Sequence, residues 1–71
     1  MPKYYFHISN GHPFKDGEGL ELPDRAAAWR EAKRTTVDDL EDMAPHGEWK
    51  LTVVEGDQEV YRIQVVAKTV A

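Results

Sequence analysis

The chain has 71 residues, 41% apolar and 31% charged, and a formal net charge of −4. Such a length forms one domain that buries about 60% of the surface its unfolded form exposes, so the core is small, while two Trp, three Tyr and two Phe argue against a disordered segment. The acidic balance argues against general nucleic-acid binding, which needs a surplus of Lys and Arg on the contacting surface.

Met1-Pro2-Lys3 leads straight into an alternating segment, with no apolar region long enough for a signal peptide and no run of about 20 apolar residues for a membrane span. The chain has no Cys, so neither disulfides nor thiolate-bound metal can supplement the core. The expectation is a soluble, unexported cytoplasmic protein spanning residues 1–71 as one α+β domain.

Tyr4, Phe6 and Ile8 alternate with Tyr5, His7 and Ser9, the period-two pattern of a strand with one apolar face. Asn10-Gly11 then ends the strand, and His12 to Glu21, with two Gly, one Pro and no apolar period, reads as a loop. Asp24 is placed to accept hydrogen bonds from the first turn of a helix that Ala26-Ala27-Ala28 favours. Counting 100° per residue from Trp29, the side chains of Ala32, Thr36, Leu40 and Met43 fall in one stripe roughly 80° wide, flanked by Ala26 and Val37. Pro45 and Gly47 are expected to end this helix.

Trp49, Leu51 and Val53 then alternate with Lys50, Thr52 and Val54. After Glu55-Gly56-Asp57-Gln58, the residues Tyr61, Ile63 and Val65 are set against Val60, Arg62, Gln64 and Val66. A plain two-residue turn at Gly56-Asp57 would place Leu51 opposite Arg62, with apolar and polar side chains on one face. An odd-length loop or a bulge near Gly56 restores Leu51 opposite Ile63 and is predicted. The order β-α-β-β with a right-handed crossover favours a three-stranded sheet of order 1-3-2, the first two strands parallel, under one helix. Orders 3-2-1 and 2-1-3 stay open.

In every order one sheet face is uncovered. It holds Tyr5, His7 and Ser9 with Lys50, Thr52, Val54, Val60, Arg62, Gln64 and Val66. Tyr5, His7, Lys50, Arg62 and Gln64 form the candidate binding face. An aromatic ring and an imidazole near Arg62 resemble in chemistry the platforms on which sheet-based binders stack bases. An ordinary wetted sheet face, or self-association through this face or an edge strand, are the other readings.

Catalysis and metal binding find no support. His7, His12 and His46 lie at no metal-ligand spacing, no nucleophile elbow accompanies Ser9, and Gly17 and Gly19 form no nucleotide motif. The carboxylates of Asp16, Glu18 and Glu21 form a candidate loop, but the ligand count falls short of a calcium loop. No cofactor is expected. The helix carries Arg25, Arg30, Lys33 and Arg34 early and Asp38, Asp39, Glu41 and Asp42 late, both halves opposing its macrodipole. Arg34 can pair with Asp38, and two such helices could meet antiparallel, basic half against acidic half.

YYFHISNG, then KDGEGLELPD running into RAAAWREA, then a late hairpin resembles a family of short bacterial proteins described as a domain of unknown function. Its members open with an aromatic strand ending in Phe-His and carry an Asp-x-x-Gly-x-Glu-Leu-Pro-Asp segment before an Ala-rich helix. Phe6-His7, Asp16, Gly19, Glu21, Leu22, Pro23 and Asp24 match, across nearly the whole chain. The resemblance implies a small α+β unit and carries over no catalytic or binding residue. It directs attention to His7 and the Asp16–Asp24 segment. The functional expectation is a small non-catalytic interaction or accessory protein, the alternative a single-stranded nucleic-acid or small-ligand binder.

Overall fold

The elements run β1 (Lys3–Ser9), β2 (Leu20–Glu21), α1 (Arg25–Leu40), β3 (Gly47–Glu55) and β4 (Gln58–Ala67). The structure, a computed structural model, describes residues 1–10 and 15–71. Gly11 and His12, expected in the turn and loop after β1, lie outside the described residues.

The class is α+β as expected, but among the described residues the sheet has four strands in the order β2-β1-β3-β4, all pairs antiparallel. Two corrections follow. The segment read as a loop up to Glu21 contributes a two-residue strand, with Lys3 opposite Glu21 and Tyr4 opposite Leu20, extended by the bond from Leu22 N–H to the Pro2 carbonyl at 3.1 Å. The favoured order 1-3-2 with parallel strands is wrong, because β2 returns the chain to the starting end of β1 before the helix begins. The helix therefore runs in the direction of β1, and the strand after it comes back antiparallel, directly beside β1, with Phe6 opposite Val53 and Ile8 opposite Leu51. This is the 3-2-1 alternative with an added edge strand. The crossover rule governs chains that leave a strand directly into a helix, and this chain does not.

The helix covers one face of the sheet. Tyr4, Trp49, Leu51 and Val53 are buried with Ala28 and Ala32, and Phe6, Ile8, Tyr61, Ile63 and Val65 pack around them. The even positions of β1 and the odd positions of β3 and β4 thus face the helix, as the alternation predicts. Burial raises the Tyr4 hydroxyl above its ordinary pKa, with help from the nearby Glu55 charge. The lone donor of buried Trp49 is satisfied, Nε1 donating to Asp39 Oδ2 at 3.3 Å.

Leu51 lies opposite Ile63 because the strand pairing shifts between Val53 and Val54. Val53 pairs with Tyr61 and Val54 with Glu59, so Val60 is the extra residue of a bulge. Glu55 pairs with Gln58 across Gly56-Asp57, and Gly56 has φ 61, the left-handed first position that a two-residue hairpin turn takes. The bulge also corrects the place of Val60, which packs against the core and leaves the open face.

Asp24 starts α1 as expected: its backbone is extended and its Oδ1 accepts from Ala27 N–H at 2.9 Å. Asp24→Ala should cost about 1 kcal/mol and lower the melting temperature by roughly 5 °C, read by a circular dichroism melt. The helix ends at Leu40, short of the expected Met43, with Glu41 still right-handed and Met43 N–H donating to the Leu40 carbonyl at 3.1 Å. Asp38, Asp39, Glu41 and Asp42 crowd negative charge on the negative end of the macrodipole, and Asp is a weak helix former. Gly47, with φ 130, opens β3 and does not close the helix. The buried stripe is centred on Ala28 and Ala32. Trp29 lies at its flank, 37% exposed, against Tyr61 with ring centroids 5.1 Å apart, and Val37, expected beside the stripe, is 61% exposed. Arg34 pairs with Glu31 at 3.7 Å and not with Asp38.

Candidate functional site

The register of three strands sets the uncovered face in rows. Ser9, Lys50 and Gln64 form one, His7, Thr52 and Arg62 the next, and Tyr5, Val54 and Glu59 the third. All five residues of the predicted binding face lie here. Tyr5 and His7 stack at 6.5 Å between ring centroids and 20° between planes. At the end of the Ser9 row an open cleft of about 720 Å³ is lined by Lys50 and Gln64 among others.

His7 is held by the loop that follows β1. Its Nδ1 accepts from Asp16 N–H at 3.0 Å. The Asp16 carboxylate is directed at the edge of β1. Oδ2 accepts from Phe6 N–H at 3.2 Å, and Oδ1 accepts from Glu18 N–H and Gly19 N–H, each at 3.0 Å. The last two form the turn that Asp makes over the residues after it. Burial is the largest single influence on Asp16 and pushes its pKa up. The amides of Gly19, Glu18 and Phe6, with His7 nearby, together outweigh it and hold the carboxyl below its ordinary range. Gly19 completes the turn with φ 74, and a Cβ there would lie 3.0 Å from both Lys3 Cγ and Tyr5 Cε2. The loop therefore crosses close above the open-face side chains of β1.

The candidate loop residues are not brought together. Asp16 joins His7, Glu18 contributes its amide to the turn with an exposed side chain, and Glu21 lies down the sheet opposite Lys3. Among the described residues no three His, Cys, Asp or Glu side chains could hold a metal ion. His46 is exposed in the segment before β3.

Thr52, placed on this face by its alternation, stands between His7 and Arg62 at its centre, and one participant, Glu59, escaped sequence reasoning. Glu59 accepts from Arg62 Nε at 2.6 Å and from the Arg62 terminal nitrogen at 3.0 Å. That bidentate bond is the main cause holding Glu59 below and Arg62 above their ordinary pKa values. Positions 59 and 62 differ by an odd number, which in a regular strand puts them on opposite faces. Only the Val60 bulge brings them together, and recognising it was the available signal.

Fold and site define a small α+β unit with a half-covered antiparallel sheet whose bare face is bordered by an Asp-anchored loop. Residues 3–67 match the family described as a domain of unknown function (DUF6894), and the chain belongs to that family. No curated protein and no solved structure matches it. No helix among the described residues is long and apolar enough to cross a membrane.

Proposed function

We propose that the chain is a non-catalytic interaction module that seats a protein partner on the uncovered sheet face. The observation that carries this reading is the face itself. Tyr5, Val54 and Val66 supply apolar contact among His7, Lys50, Thr52, Arg62 and Gln64, the mixed composition of a non-obligate interface. The polar groups best suited to chemistry are turned to structural use, since His7 Nδ1 and the Asp16 carboxylate both accept backbone N–H groups. A base-stacking reading draws on the paired Tyr5 and His7 rings. It is weakened by Glu59, which neutralises Arg62, and by the net charge of −4.

The test compares proteins retained from native lysate by immobilised wild type, by Thr52→Arg at the centre of the face, and by Val37→Lys on the exposed side of the helix. Partners held by wild type and Val37→Lys and lost by Thr52→Arg are the expected result. Equal retention by all three would remove the reading. Salt-sensitive binding of mixed-sequence oligonucleotides, lost in Tyr5→Ala, would replace it with the nucleic-acid alternative.

A further inference from the structure

The two edges of the sheet are finished differently. On the β1 side the edge is closed by β2, only two residues long, and beyond it by the Asp16 carboxylate on Phe6 N–H. A very short edge strand and a side chain on an edge amide are ways of blocking further strand addition. On the other side β4 runs for ten residues, Gln58–Ala67, with no Pro, Gly or Lys in QEVYRIQVVA, and among the described residues no strand lies outside it. Its bulge is at Val60, next to the turn, so the pairing from Tyr61 to Ala67 is regular. This half is a long, regularly paired edge.

The direction of the edge groups follows from Phe6. Its N–H points out of the sheet toward Asp16, so the neighbouring His7 directs its backbone groups inward to Thr52. The alternation of antiparallel pairs then gives Leu51 and Ile63 to each other and turns the N–H and C=O of Arg62, Gln64 and Val66 outward. These three residues are spaced for a second strand. The side chains agree: Tyr61, Ile63 and Val65 remain half-buried on the helix side, and Val66 is 60% exposed on the other.

We infer that β4 pairs antiparallel with β4 of a second copy about a two-fold axis at Gln64, joining two four-stranded sheets into one. In this register Gln64 faces Gln64 of the other copy and Arg62 faces Val66, each pair exchanging both backbone bonds. On the helix side Ile63 faces Val65, so two copies of each gather into one apolar cluster. Strand length and charge select this arrangement, because an axis at Val66 would pair only Val65 to Ala67 of the strand and an axis at Arg62 would oppose two guanidinium groups. The inference concerns the sheet edge and stands independently of the partner proposed for the open face.

The experiment is sedimentation equilibrium up to millimolar concentration, together with single-cysteine crosslinking. Wild type should approach twice the chain mass of 8.1 kDa. Val66→Pro removes an outward amide and should stay monomeric with an unchanged far-ultraviolet spectrum. The chain has no cysteine of its own. Under mild oxidation Gln64→Cys should form a covalent dimer, as directly opposed Cα atoms lie within disulfide reach, and Arg62→Cys, about 13 Å from its own copy in this register, should not. Both cysteine variants change only exposed side chains, so the register test holds even where Val66→Pro fails to fold. A wild-type monomer throughout the series would overturn the inference, as would a dimer in which Arg62→Cys crosslinks and Gln64→Cys does not.

Discussion

Asp16→Ala should lower the melting temperature by roughly 10 °C. The substitution leaves the amides of Phe6, Glu18 and Gly19 without their acceptor. The site is half-buried and water replaces part of what is lost, so the cost is about 2 kcal/mol, which a chain of this size converts to that shift. The same carboxylate gives a pH signature. Asp16 is held below its ordinary value in the folded chain, so its contribution is fully present above the unfolded carboxyl pKa of about 4 and is lost as pH falls through the lower folded value. Asp16→Asn removes that dependence. The gap in melting temperature between wild type and Asp16→Asn should therefore be constant from pH 7 to 5 and shrink below about pH 4. A gap of the same size at pH 7 and pH 3 would show that the ionised carboxylate does not anchor the loop.

Leu51→Ala is expected to be the more damaging change. Leu51 is 0% exposed on a central strand, between Ile8 and Ile63 and packed with Ala28 and Ala32. Its truncation should cost about 3 kcal/mol, against a total for a chain of this length on the order of 4–10 kcal/mol. The urea midpoint should fall by a third or more with an unchanged slope. Leu20→Ala, at a position 42% exposed in β2, should change it by under about 1 kcal/mol.

The parity of the strands was legible because Tyr4, Phe6 and Ile8, like Trp49, Leu51 and Val53, repeat every second residue, and burial against one helix demands that period. The bulge was legible for the same reason, since only an irregularity brings Leu51 opposite Ile63. The strand order was not, because it depends on the direction in which the chain enters α1. That direction is set by the pairing of Leu20 and Glu21 with β1 and by the Asp16 carboxylate on Phe6 N–H, contacts with no periodic trace. The candidate face was readable as a set of residues. The bonds that fix it, His7 to Asp16 and Arg62 to Glu59, required the loop path and the bulge.

The helix has no acidic residue in its first turn and no basic residue in its last. Cut out as a peptide with Asp24 ahead of them, these 16 residues would have the cap, a few alanines and the Glu31–Arg34 pair in their favour, too little to overcome nucleation in water. Their helicity is conferred by the strands beneath them. The expected order is the β3-β4 hairpin and its pairing to β1 first, with α1 condensing onto that template, so that substitutions in the hairpin slow folding more than substitutions in α1. A chain so dependent on contacts distant along the sequence folds on the slow side for its length.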